Sequence, residues 1–200
     1  MPISNHTIVQ ELINLINLLR EEDSLEMVIA GGCARDLLHN RVPKDYDVIM
    51  LTSMFSDELV QFINKVIVKL DKGKLSNSKV KDLRIELIAD NYGADQTSNL
   101  AWVIKVMLNN TIEVDFITFN SAPETPKEAC EAFDCTLNMA WIDQEGQIHK
   151  HEQYPKMGDM IKILDLCDRS EERIKYLGEK FPQYQWPVIK MSDSLLTVSA

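Results

Sequence analysis

The sequence predicts an α/β (α+β) fold: a mixed sheet with helices on one face, followed by a short helical C-terminal extension. Three observations predict it. Short apolar runs of strand length alternate with segments of helical period in the first half of the chain. Strand patterns then dominate the middle, and helical period returns after residue 155. The 200-residue chain has an apolar fraction of 45%, ordinary for a globular chain, so one domain with a modest appendage can bury a core. We place the main domain at 1–155 and the extension and tail at 156–200.

The elements follow in order. Ile8, Leu12, Leu15, Ile16 and Leu19 recur at helical spacing behind a Ser4/Asn5 cap, giving a helix over 5–20. Met27 to Ala30 is an apolar strand running into Gly31-Gly32. A helix from Cys33 to His39 and a strand from Tyr46 to Leu51 come next. Ser56 opens a helix to about Leu70, with Leu59, Phe62, Ile63, Val66 and Leu70 on one face. A polar loop leads to a strand over Leu83–Ala89. Ala101–Leu108 and Thr111–Phe119 read as a hairpin across Asn109-Asn110, and Asn138–His149 as a second hairpin turning at Gln144-Glu145-Gly146. Helical period marks Asp159–Cys167 and Ser170–Phe181.

Composition narrows the function. No apolar run approaches the ~20 residues a membrane span needs, and no signal pattern opens the chain, so a soluble, cytoplasmic protein with no membrane partner is expected. The four cysteines, Cys33, Cys130, Cys135 and Cys167, have no zinc spacing and read as buried thiols, Cys33 included. A net charge of −10 opposes broad, non-specific nucleic-acid binding, which depends on Lys and Arg neutralising phosphates. It leaves room for a local basic groove, for which Lys72, Lys74, Lys79, Lys81 and Arg84 are the densest stretch.

The chemistry concentrates between residues 28 and 50. Gly31 and Gly32 between a strand and a helix let backbone approach a ligand without a Cβ in the way. The following helix offers free N–H groups and a positive dipole end, suited to phosphate, and Arg35 on its first turn adds a charge-assisted contact. There is no Gly-Lys-Ser/Thr and no third glycine of a dinucleotide fold. Asp45 and Asp47, two apart at a strand start, project from the same face. Such a pair repels itself unless a cation intervenes, and carboxylates completed by substrate phosphates are the usual seat of Mg²⁺. A third acid is expected from Thr111–Ile117; Glu113 and Asp115 share a face, and Asp115, between Val114 and Phe116, is the better candidate. His149 and His151 alternate on a strand but lack a further ligand to complete a metal site.

Gly31-Gly32-x-x-Arg35-Asp36-Leu37-Leu38 with Asp45-x-Asp47 closely resembles the head domain of class II tRNA CCA-adding enzymes and bacterial poly(A) polymerases, within the polymerase-β-like nucleotidyltransferases. Phe133-Asp134-Cys135-Thr136-Leu137-Asn138-Met139-Ala140 is similar to that family's Arg-Arg-Asp-x-Thr-Ile-Asn-Ala segment. The resemblance implies a nucleotidyltransferase palm that moves a nucleoside monophosphate from an NTP (ATP, CTP or both) to a hydroxyl and releases pyrophosphate. The acceptor it implies is an RNA 3′ end, as in tRNA processing. It places the catalytic metals, two Mg²⁺ ions (or Mn²⁺), on Asp45 and Asp47; with Asp115 as the third acid read above, one ion would lie beside the attacking hydroxyl and the other would bridge the triphosphate. Gly31, Gly32 and Arg35 would contact the nucleotide, with Asp134 and Asn138 near its sugar and phosphates. The family's paired arginines are Ala132 and Phe133 here, so the contacts they would make are lost or rerouted. Glu171-Glu172-Arg173 only loosely echoes the family's base-reading segment. Two rivals stand beside this reading: a small molecule or protein side chain as acceptor, and a non-catalytic nucleotide-binding relic of the fold.

Overall fold

A computed structural model describes residues 7–23, 25–52, 56–71, 83–89, 100–108, 112–164 and 170–187. The elements run α1 (Thr7–Asp23), β1 (Met27–Ala30), α2 (Gly32–Leu38), β2 (Asp45–Met50), α3 (Ser56–Asp71), β3 (Leu83–Ala89), β4 (Leu100–Leu108) and β5 (Ile112–Phe119). After these come α4 (Pro126–Glu131), a 3-10 turn over Thr136–Asn138, β6 (Ala140–Ile142), β7 (Ile148–Lys150) and α5 (Ser170–Lys180). Seven strands form one sheet in the order β3-β4-β5-β2-β1-β6-β7. Among the described strands only β2 and β5 pair parallel, so the sheet is mixed, as expected.

Strand alternation gives the sheet two unlike faces. Met27, Ile29, Tyr46, Val48, Met50, Val114 and Phe116 point into the main core, covered by Val9, Leu12, Ile16 and Leu19 of α1 and Phe62 and Val66 of α3. Phe62 meets Phe116 edge-on with ring centroids 5.3 Å apart. The opposite face carries a small cluster, Val28, Ala30 and Ile49 with Ala129 of α4, against which Leu51, Phe119, Phe133 and Trp141 pack. That helix escaped the sequence reading, although Thr125-Pro126-x-Glu128 is a helix start. The Thr125 hydroxyl accepts from the Glu128 N–H at 3.2 Å and Pro126 takes the first turn.

Three expectations meet corrections or limits. The helix expected over Asp159–Cys167 is absent from 159–164, where the chain is extended. Its N–H groups are claimed from outside: Ile161 donates to the Gln185 carbonyl at 2.8 Å and Leu164 to that of Asp134 at 2.8 Å. The second hairpin turns where expected, with Asp143 and Gln147 closing it and Gly146 at φ 77°, but its first strand begins at Ala140 because Asn138 belongs to the 3-10 turn. In the first, Leu108 pairs with Ile112, one residue later than a two-residue turn sets it. The Ser4/Asn5 cap, Asn109-Asn110, Lys72 to Lys81, Cys167 and the end of the tail lie outside the described residues. Among the described residues no helix is long and apolar enough to cross a membrane.

Candidate active site

The site begins where β1 ends. Gly31 adopts φ 70° and ψ −130°, a conformation L side chains rarely take, and its N–H is held by the Ala140 carbonyl at 2.9 Å. A Cβ here would lie 3.0 Å from the Phe133 ring and 3.5 Å from Asp47 Oδ2. At Gly32 the nearest atom to a Cβ is Arg35 Nη2, 3.5 Å away at ordinary van der Waals distance, so the fold itself does not require that glycine. Gly31→Ala is therefore expected to lower stability by about 1–3 kcal/mol. Gly32→Ala should leave the urea midpoint in place while weakening nucleotide binding; equal loss of stability in both variants would make the two glycines one structural turn. The helix beyond closes by a Schellman motif: Asn40, at φ 55°, donates to the Leu37 carbonyl at 3.0 Å and Arg41 to that of Asp36 at 2.8 Å.

The carboxylates stand on the open face. Asp45 and Asp47 alternate with buried Tyr46 and Val48, and parallel pairing with β5 sets Glu113 opposite Asp45 and Asp115 opposite Asp47. One cross-strand row thus runs Lys105, Asp115, Asp47, Ala30, Trp141, His149. Burial, then Asp45, then Asp115, push the Asp47 carboxyl up to about 7. Asp115 is raised as well, chiefly by burial and against the pull of Lys105. Lys105 Nζ reaches Asp115 Oδ2 at 3.1 Å and also bonds Glu113, whereas buried Asp115 Oδ1 has no partner among the described residues. Among the described residues no group of three His, Cys, Asp or Glu is placed to hold a metal ion by itself.

A cleft of about 330 Å³ opens beside these acids, lined by Gly32, Arg35, Asp36, Lys44, Asp45, Asp47, Phe133 and Asn138 and by Arg173, Tyr176, Leu177 and Lys180 of α5. Of the sequence candidates, Gly32, Arg35, Asp45, Asp47 and Asn138 meet there. Gly31 lies under the Phe133 ring, Asp115 sits one strand away, and Asp134 stands behind Asn138. Arg35 is buried and its guanidinium is engaged: Nε bonds Asp36 Oδ1 at 2.9 Å, Nη1 bonds Asn138 Oδ1 at 2.6 Å, and the Phe181 ring packs 5.0 Å below. Asn138 Nδ2 donates to Asp134 Oδ1 at 2.6 Å, Asp134 pairs with Arg173, and Lys180 reaches Asp36 Oδ2 at 2.7 Å.

Sequence reading missed the α5 wall. Arg173, Tyr176, Leu177 and Lys180 follow i, i+3, i+4, i+7 spacing, which was available, but nothing local says what that face meets. It missed Lys105 as well. Cys33 is fully buried, and burial followed by Asp47, Asp36 and Asp45 holds its thiol well above the usual range, as expected of a packing residue. His149 and His151 do not share a ligand. His149 stacks on Trp141 and bonds Asp143 at 2.6 Å, while His151 turns inward and its Nδ1 accepts from the Gln153 N–H at 3.1 Å.

Known structures share this arrangement of elements. A Thermotoga maritima CCA-adding enzyme complexed with tRNA superposes with a TM-score of 0.55 at 16% identity, over 98% of this chain and 44% of that one. A tRNA-processing enzyme in an apo form gives 0.57 at 14% identity, over 92% and 45%. A CCA-adding enzyme in complex with ATP gives 0.55 at 15% identity, over 90% and 40%. The chain spans less than half the length of these proteins, and identities this low establish the fold alone: it is nucleotidyltransferase-like. A search of curated proteins finds no match. The model of one sequence family, by contrast, matches residues 6–156, from α1 through the glycine turn, the carboxylates and β7. The chain therefore belongs to the Gabija anti-defense 2 (Gad2) family.

Proposed function

We propose that the protein is a divalent-cation-dependent nucleotidyltransferase that moves a nucleoside monophosphate from an NTP to a hydroxyl, releases pyrophosphate, and thereby serves the counter-defence role its family name carries. One observation supports this above the rest: Asp45, Asp47 and Asp115 stand side by side on registered strands, next to a glycine turn that opens a helix. Side-by-side acids destabilise a fold without a compensating positive charge. Buried, unpartnered Asp115 Oδ1 and the raised Asp47 carboxyl are what a cation would relieve, so the residues fit Mg²⁺ or Mn²⁺. Asp45 and Asp47 would hold it, with water and phosphate oxygens filling the other positions. Bound there, the ion would supply charge neutralisation for the triphosphate and the departing pyrophosphate.

The chain's own groups prepare the rest. Gly32 lines the cleft at the start of α2, where the first N–H groups of a helix have no intrahelical acceptor and would be available to phosphate. Lys44 adds a cation at the rim, and Arg173 and Lys180 add two more across it, standing in for the contacts that Ala132 and Phe133 cannot make. Arg35, tied to Asp36 and Asn138, shapes the cleft and offers only an edge to a ligand.

An RNA 3′ end is the acceptor we favour, since the solved proteins of like fold include one complexed with tRNA. The net charge of −10 favours a second reading, a protein side chain as acceptor, because it opposes a long RNA footprint. Incubation with each labelled NTP, Mg²⁺, total RNA and a lysate of the defended cell separates them. Label on RNA 3′ ends supports the first and label on protein the second. Label on neither, with the NTP intact, rejects transfer altogether.

A further inference from the structure

We propose that Lys105 takes the place of the hydroxyl-side cation, so that the site holds one divalent ion, on Asp45 and Asp47, rather than two. This rests on the nucleotidyltransferase reading and departs from the two-ion arrangement that the resemblance implies. In that arrangement Asp115 completes the shell of the ion beside the attacking hydroxyl. Here β4 lies against β5 with Lys105 directly opposite Asp115, which in turn lies directly opposite Asp47. All three side chains leave the same face of the sheet.

The ammonium group is committed to this position. Nζ bonds Asp115 Oδ2 at 3.1 Å and also bonds Glu113, and only 20% of the Lys105 side chain is exposed. Two acids and one lysine form a cluster of net charge −1 before any ion arrives. The pull of Lys105 fixes Asp115 Oδ2 on the β4 side, leaving Oδ1 as the only carboxylate oxygen of Asp115 without a protein partner. One oxygen from Asp115 is too little to add a second ion to a pair already sharing the first. An ammonium ion and a divalent cation about 3 Å from the same carboxylate would also repel each other strongly. Lysine suits this position, being a compact point charge able to serve two acids at once.

The decisive experiment counts ions. Mn²⁺ bound per chain is measured from loss of the free-ion electron paramagnetic resonance signal at pH 8, with Mn²⁺ alone and with one equivalent of ATP. The wild-type chain should take up one ion in both. Lys105→Met should take up a second, on Asp115 and Glu113, visible with Mn²⁺ alone. Lys105→Arg, which keeps the charge, should remain at one, and Lys105→Met combined with Asp115→Asn should return to one. The wild-type count does not depend on any variant, so it tests the proposal even if Lys105→Met folds poorly. Two ions on the wild-type chain, or one on a folded Lys105→Met chain, would overturn the proposal. ATP failing to bind while these counts hold would instead sink the nucleotide reading and leave the ion assignment standing.

Discussion

An Asp47→Asn protein stripped of divalent cations is expected to melt above the wild type at pH 8 and to transfer no measurable nucleotide. Both halves follow from one side chain. Asp47 ionises near 3.8 in the unfolded chain and at about 7 in the fold, where burial and then Asp45 and Asp115 disfavour its charge. The folded protein therefore holds a proton that the unfolded chain releases. Stability from this group is complete below about pH 4, drains away as the pH climbs to about 7, and is flat beyond. The full swing is on the order of 4 kcal/mol, and the neutral amide should recover much of it, a rise of roughly 5–10 °C in melting temperature. Saturating Mn²⁺ should reverse the order, because it stabilises only the chain that can bind it. Transfer should fall roughly a thousandfold or more, since the amide cannot hold the ion that offsets phosphate charge. Thermal melts from pH 4 to 9, with and without Mn²⁺, check the first half, and a labelled-NTP assay checks the second. A variant no more stable than the wild type at pH 8 would show that Asp47 is solvated; one that keeps most of its rate would remove Asp47 from the metal site.

What the sequence revealed about this site was what lies close together in it. Met27 to Met50 contains a strand, a glycine turn, a helix and an acid-bearing strand in one continuous stretch, each with its own local signature. Asp115 was legible because an acid between Val114 and Phe116 breaks an apolar run. Lys105 was not, because its role depends on register. A two-residue turn at Asn109-Asn110 would set Leu108 opposite residue 111 and Lys105 opposite Val114, on the buried face. The observed pairing of Leu108 with Ile112 moves Lys105 opposite Asp115 and onto the open face. One residue of slip separates a buried cation from a neutralised acid, and no local pattern fixes that residue.

The segment from Asp159 to Leu164 teaches a related lesson. Met160, Ile161, Ile163 and Leu164 satisfy helical period, yet Ile161 is buried while Met160 and Leu164 are exposed, and their backbone pairs with the chains around Asp134 and Gln185. Tertiary partners override a local preference there. The same long-range ties bring α5 to the cleft. Arg173, Tyr176, Leu177 and Lys180 thus line the same cleft as Asp45 and Asp47.

Removing that tie gives the second large effect. Asp36→Ala is expected to destabilise the protein by about 3–5 kcal/mol, because it leaves the buried Arg35 guanidinium and the Lys180 ammonium without their shared carboxylate. Asp36 is almost wholly buried and bonds Arg35 at 2.8 Å and Lys180 at 2.7 Å, so water cannot readily replace it. Lys180→Met should cost far less, since Asp36 then keeps Arg35 as its partner, and the two acid–base links are not equivalent. The consequences should spread along a defined route. Without Asp36, Arg35 loses its orientation toward Asn138, and the ties left to α5 are Arg173 on Asp134, Arg41 on the Lys180 carbonyl and the buried side chains of Leu177 and Phe181. Hydrogen exchange should therefore quicken in the last turn of α5 and in α2 while the β1–β2–β5 centre of the sheet stays protected. Nucleotide affinity should drop with it, as the wall carrying Tyr176, Leu177 and Lys180 loosens. Uniformly faster exchange would make Asp36 a plain core residue with no special bearing on the cleft. Unchanged stability and unchanged exchange in α5 would mean that the helix reaches the cleft by its apolar contacts through Leu177 and Phe181 alone, with the ion pairs adding nothing.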